Sequence, residues 1–187
     1  MKHFEWIQTS GGPLILIDSE VVEFWSGILE RSSYLQGNGH LSTDFMDPLE
    51  ADYGKACSIN DYLGIVNIEK QNALVFGDEP LSTTIVHSSN YEATISQWVY
   101  GEKESEQALQ TVDFSALNWG FNEVIKFSSS EQYLFDAAID GRSLVAKDNG
   151  TFFLKMNLSP REYQVFSTFY EPDSQTRFIL YKLMKKN

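Results

Sequence analysis

Residues 72–86 read NALVFGDEPLSTTIV, and that order leaves the backbone little choice. An apolar run, Ala73-Leu74-Val75-Phe76, meets Gly77-Asp78-Glu79-Pro80, and a β-branched run, Thr83-Thr84-Ile85-Val86, follows. Gly77 admits the dihedral angles of a tight reversal and Pro80 has no N–H to give to a ladder, so the reversal falls between them. The expectation is a buried strand, an acidic turn and a second strand paired with the first as a hairpin. Asp78 and Glu79 then sit side by side at a corner that faces water.

A second run is equally restrictive. Residues 14–17, Leu-Ile-Leu-Ile, are apolar at every position, as in a strand covered on both faces. Before it, Ser10-Gly11-Gly12-Pro13 reads as a turn that ends a short strand at Phe4-Glu5-Trp6-Ile7. After it, Asp18 or Ser19 can cap a helix running to Leu29, because Val21, Val22, Phe24, Trp25, Ile28 and Leu29 recur at helical spacing. Residues 37–52 are polar and broken and carry Asp44, Asp47, Glu50 and Asp52 with no Lys or Arg, which predicts a loop with one helical turn near Pro48.

Strand signals dominate from there on. Residues 62–68 and 94–100 are strand-like, with Gln71-Asn72 as a turn before the opening stretch. Residues 101–113 are polar and acid-rich, a candidate hinge, and residues 114–120 suggest a short helix. Residues 124–127, 132–139, 143–147, 151–158, 163–170 and 178–183 read as further short strands, with Asp140-Gly141 closing the second of them. Asp148-Asn149-Gly150 fits a primed hairpin turn, and Glu171-Pro172-Asp173-Ser174 joins the last two strands into an aromatic hairpin.

The fold class expected is α+β: a predominantly antiparallel sheet with one or two helices near the N-terminus. A chain of 187 residues suits one domain spanning 1–187, with a division into subdomains of about 1–100 and 114–187 as the alternative. With 42% hydrophobic and 14% aromatic residues it can form a core without disulfides or metal, and Cys57, its only cysteine, precludes an intrachain disulfide. No secretory leader or spanning segment is evident, so a cytoplasmic location is the default.

Catalytic signatures are sparse. His3, His40 and His87 are isolated from one another and from Cys57, and no HExxH, CxxC, GxSxG, phosphate loop or GxGxxG occurs. No cofactor, metal or catalytic residue is therefore assigned. Cys57 reads as a small buried thiol and His87 as a surface or turn histidine. The net charge of −12, from 26 acidic and 14 basic residues, repels nucleic acid and anionic membranes; it serves solubility and favours basic partners. Asp78-Glu79 is read as a solvated turn, or as a contact with such a partner. Trp98 and Tyr100 share a strand face and would pack in a core or form an exposed aromatic platform.

Several of these segments, in order, resemble the Imm21 family of immunity proteins from bacterial polymorphic toxin systems. They are Trp6-Ile7 with Ser10-Gly11-Gly12-Pro13-Leu14-Ile15-Leu16, Asp52-Tyr53 with Ala56-Cys57, Asp61-Tyr62-Leu63-Gly64, Ala73-Leu74-Val75, Gly77-Asp78-Glu79-Pro80 and Trp98-Val99-Tyr100. Leu134-Phe135-Asp136-Ala137 and residues 163–183 with Pro172-Asp173 complete the set. The resemblance implies a non-enzymatic protein that binds a cognate toxin domain and protects the producing cell. Combined with the acid excess, it points to Asp44, Asp47, Glu50, Asp52, Asp78 and Glu79, with Trp98, as partner contacts. Two other readings stay open: a small-molecule or carbohydrate-binding β domain with a Trp98–Tyr100 platform, and a hydrolase using Asp78 or Glu79.

Overall fold

The computed structural model describes residues 3–9, 11–28, 51–69, 71–77, 79–146 and 152–186. Ten strands form two five-stranded sheets: β1 (Leu14–Asp18), β2 (Gly64–Ile68), β3 (Gln71–Phe76), β4 (Ser82–Ser88), β5 (Glu92–Tyr100), β6 (Gly120–Phe127), β7 (Gln132–Asp136), β8 (Phe153–Met156), β9 (Arg161–Asp173) and β10 (Thr176–Lys185). The first sheet has the order β2-β3-β1-β7-β8 and the second β4-β5-β10-β9-β6, and every pairing is antiparallel. Each sheet draws strands from both sides of residues 101–113.

β1 explains the uninterrupted apolar run. Leu14 and Leu16 point into the space between the sheets, beside Leu74, Phe76, Ile95, Leu134 and Tyr181. Ile15 and Ile17 point the other way, beside Val22, Trp25, Val75, Phe135 and Leu144. One strand thus divides two cores, and with β3 and β7 on its flanks it has no polar face to show. A third apolar cluster, Phe4, Val86, Leu109, Phe178 and Leu180, lies on the far side of the second sheet under residues 103–119.

The predominantly antiparallel sheet is present, but the helices are short and mostly away from the N-terminus: α1 (Asp52–Cys57), α2 (Ala108–Thr111) and α3 (Gly141–Ala146). The helix expected over residues 18–29 is only a 3-10 turn at Val22–Phe24. Asp18 closes β1 instead of capping a helix, and its carboxylate accepts the backbone N–H groups of Ser128 and Ser129. Gly27 turns the chain at φ 60°, and the buried Trp25 indole donates to the Ala137 carbonyl at 2.8 Å. The loop thereby buries its apolar residues without helical repetition.

Other local expectations also change. Residues 143–147, expected as a strand, fall largely in α3, because Asp140 caps that helix: its carboxylate accepts the Ser143 N–H at 3.0 Å. Gln71 and Asn72 begin β3, and the turn before them has Glu69 at φ 53°. Residues 114–119, expected as a helix, are a turn and irregular backbone organised by Asp113, which accepts from both the N–H and the hydroxyl of Ser115, and Gly120 already begins β6. Phe4–Ile7 contributes one isolated bridge, Ile7 to Thr83. The β9–β10 hairpin forms, with its turn at residues 174–175 and with Pro172 and Asp173 still in β9. The Asp148-Asn149-Gly150 turn and the loop over residues 37–50 lie outside the described residues.

The opening stretch is not a hairpin. β3 pairs with β1 and β2, whereas β4 pairs with β5, so the Gly77–Pro80 corner carries the chain from one sheet to the other. Gly77 stands there at φ 46°, the left-handed region that favours glycine.

Candidate functional site: an aromatic and acidic end face

The crossover corner rests on the segment that leads into β2. A Cβ added to Gly77 would lie 3.5 Å from the backbone of Tyr62, so corner and segment are in contact. Tyr62 is held from below: the Tyr181 hydroxyl, buried between the sheets, shares its one proton between the Tyr62 carbonyl at 3.1 Å and Gln97 Oε1 at 2.8 Å. Burial pushes the Tyr181 pKa up, and the nearby Tyr62, Asp61 and Glu79 push the same way. The phenol is therefore a permanent donor; Asp61 sits beside Tyr62, its carboxylate accepting the Tyr62 N–H at 2.7 Å, and Glu79 follows two residues after Gly77 on the corner that touches Tyr62.

The second sheet adds three side chains there. Tyr62 meets Phe169 edge-on, ring centroids 6.0 Å apart at 89°. The Arg177 guanidinium lies over Phe169 at 5.1 Å and over Tyr100 at 5.8 Å, and Glu171 binds its Nε and Nη2. That hydrogen bond raises the Arg177 pKa, with the charges of Glu171 and then Tyr100 and Tyr62 adding to it. β10 shifts register between Arg177 and Phe178, and this irregularity accompanies the turning of Arg177 onto the two rings. Tyr62 and Phe169 are each 49% exposed and Tyr100 44%. Three half-open rings, one arginine and its partner Glu171 thus share one end face, with Asp61 adjoining Tyr62.

The residues singled out from the sequence do not assemble at one place. Glu79 is exposed on the crossover corner. Asp44, Asp47, Glu50 and Asp78 lie outside the described residues. Asp52 is 7% exposed at the start of α1, and its carboxylate is engaged inside the fold by the Ser26 N–H at 3.0 Å, the Ser26 hydroxyl at 2.9 Å and Lys55 Nζ at 2.5 Å. Burial works to raise its pKa, but the bonds from Lys55 and Ser26 outweigh it and hold the pKa below the ordinary value. Trp98 is half-buried, 5.3 Å from Trp6 and 5.5 Å from Phe178, whereas Tyr100 is 44% exposed and faces the Arg177 guanidinium at 5.8 Å.

Cys57 is half-buried rather than buried, and the Tyr53 pKa is pushed up to about 12 by burial first and by the neighbouring Cys57 second. His87 is exposed at the end of β4. Residues 101–113 are fastened to the second sheet: Leu109 is buried, Trp6 Nε1 donates to Glu106 at 2.9 Å, and the Ser105 and Thr176 hydroxyls meet at 2.9 Å. Among the described residues no group of three or more His, Cys, Asp or Glu could hold a metal ion. Among the same residues no helix is long and apolar enough to cross a membrane.

Phe169 and Arg177 were missed from the sequence although a signal exists. In the consecutive pair Phe169-Tyr170 the two-residue period sends one ring to each face, and one of those faces runs past the end of the core. Arg177 stands across the hairpin from an acidic strand end, the usual setting for a cross-strand ion pair.

No curated protein and no solved structure matches the chain. The model of the Imm21 family, immunity protein 21, matches residues 5–176, nearly the full length, and covers every strand of the first sheet as well as β4, β5, β6 and β9 of the second. With the two-sheet fold and its corners as the frame on which the matched motifs sit, the chain belongs to the immunity protein 21 family, the non-catalytic immunity partners of bacterial toxins.

Proposed function

We propose that this protein binds its cognate toxin domain in the cytoplasm of the producing cell and blocks it by occupying the toxin's functional surface, as part of contact-dependent competition between bacteria. The observation that carries this reading is the family match over residues 5–176. Acidity supplies the means. Twenty-six carboxylates against fourteen basic side chains suit a toxin with a basic surface, such as a nucleic-acid groove, and complementary charge speeds capture. Glu79 is the exposed contact, and Asp44, Asp47, Glu50 and Asp78 are the further sequence-level contacts. Asp52 is set aside, because its carboxylate is already engaged by Ser26 and Lys55.

Co-expression with the toxin encoded by the adjoining gene tests the reading. Growth should be restored by this chain and not by an unrelated acidic protein of similar size. Equal killing with and without it would overturn the proposal. Association measured between about 0.05 and 0.5 M salt should slow roughly tenfold or more, as steered encounters do. Fast association indifferent to salt would sink the acidic mechanism while leaving the binding.

A further inference from the structure

We propose that the end face built from Tyr62, Tyr100, Phe169 and Arg177 is the anchor of the toxin interface, and that it receives a Lys- or Arg-bearing segment of the toxin. This rests on the immunity reading above and names the place and the chemistry of contact.

Composition is the first reason. Aromatic and arginine side chains dominate the small set of residues that carry binding energy at protein interfaces. Here three rings, each nearly half exposed, and one arginine form a chain of contacts: Tyr62 to Phe169 at 6.0 Å, Phe169 to Arg177 at 5.1 Å and Arg177 to Tyr100 at 5.8 Å. Preparation is the second. The Tyr62 backbone is held by the buried Tyr181 hydroxyl, and Arg177 is clamped between Glu171 and two rings, so little freedom remains to be lost when a partner arrives.

Charge selects the occupant. Among the described residues, Asp61 beside Tyr62, Glu79 on the corner in contact with it and Glu171 at the end of β9 are exposed carboxylates, and Glu171 is already engaged by Arg177. A cation docking on the exposed Tyr62 ring lies beside the exposed Asp61, whose carboxylate accepts the Tyr62 N–H at 2.7 Å, a setting that suits an ammonium or guanidinium group. A second copy of the chain would bring −12 against −12, and nucleic acid would bring phosphates; both are repelled. A cationic polypeptide segment is the partner that fits.

The test uses the adjoining toxin domain, inactivated in its own active site, and binding constants for wild type, Tyr62→Ala, Phe169→Ala, Phe169→Tyr and the doubly reversed Asp61→Lys/Glu79→Lys. Tyr91→Ala and Phe121→Ala, exposed rings elsewhere, serve as controls, and each variant's melting temperature verifies its fold. Tyr62→Ala and Phe169→Ala should each weaken binding at least tenfold, Phe169→Tyr should stay within threefold, and the controls within twofold. The double reversal should slow association and flatten its salt dependence. If wild type binds and the folded end-face variants bind within twofold of it, the inference is overturned while the immunity reading stands. If wild type itself does not bind, the immunity reading falls and this inference with it. A dimer of the chain alone that Tyr62→Ala dissolves would give the face to a second copy and overturn the inference too.

Discussion

Replacing Tyr181 by Phe removes one oxygen from the centre of the molecule and nothing else. That hydroxyl reaches Gln97 Oε1 at 2.8 Å and the Tyr62 carbonyl at 3.1 Å, from a side chain with no exposure. Among the described residues the Gln97 Nε2 has no hydrogen-bond partner, so the phenol is the contact that engages that buried amide. Losing a hydrogen bond costs about 1 kcal/mol, and stranding a buried acceptor about 1–3 kcal/mol, with some of the two overlapping. A loss of about 2–3 kcal/mol follows. For a chain of this size that corresponds to a fall of roughly 4–12 °C in melting temperature. Urea unfolding followed by tryptophan fluorescence should show the same loss with an unchanged dependence on denaturant, since the surface exposed on unfolding does not change. In a Gln97→Leu background the amide is gone, and the cost of Tyr181→Phe should shrink by about 1 kcal/mol or more, a coupling within the range found for residues in contact. If Tyr181→Phe unfolds within about 0.5 kcal/mol of wild type, or the two changes simply add, the hydroxyl does not hold this region together and the account of how Tyr62 is positioned is wrong.

Asp52→Asn should destabilise the fold by about 1–3 kcal/mol near neutral pH, because Lys55 and Ser26 lose a charged acceptor. The folded pKa of Asp52 lies below its unfolded value, so its contribution is complete above about pH 4 and is lost as pH falls through the folded pKa; urea titrations at several pH values should show the gap between wild type and Asp52→Asn closing as the solution is acidified. Gly141→Ala would place a Cβ 1.7 Å from the Val22 carbonyl oxygen, a backbone atom that cannot swing away. It should cost at least about 2 kcal/mol, and a melting temperature within 1 °C of wild type would refute that packing. Trp25→Phe deprives the Ala137 carbonyl of its indole donor and leaves a gap in the second core; about 2–4 kcal/mol should be lost in thermal or urea unfolding.

How much was legible in the residues depended on whether the deciding contact is local. β1 could be read because a run with no polar position has only a doubly covered strand to occupy. The β9–β10 hairpin could be read because its alternation, turn and pairing lie within a few residues of one another. Residues 18–29 misled because helical spacing also arises when a loop tucks Val21, Val22 and Trp25 under itself, and what fixes that loop is the Ala137 carbonyl, 112 positions away. Asp140 was taken as the end of a strand although Asp before a short apolar stretch is equally a helix cap; the buried Leu144 on α3 settles which applies. The end face escaped notice for the same reason on a larger scale. Tyr62, Tyr100, Phe169 and Arg177 come from the approach to β2 and from the ends of β5, β9 and β10, and strand register alone brings them together.

The hairpin of β9 and β10 occupies the inside of the second sheet, between β5 and β6, although it follows every other described strand in the sequence. While the ribosome is still working, β5 and β6 have no neighbours on the sides where that hairpin belongs, and the aromatic end face lacks two of its four members. A nascent chain stopped before Arg161 would therefore have neither the middle of its sheet nor Phe169 and Arg177, and would expose unpaired strand edges to chaperones and proteases. Truncation before Arg161 should therefore abolish protection of the cell outright and not merely weaken it.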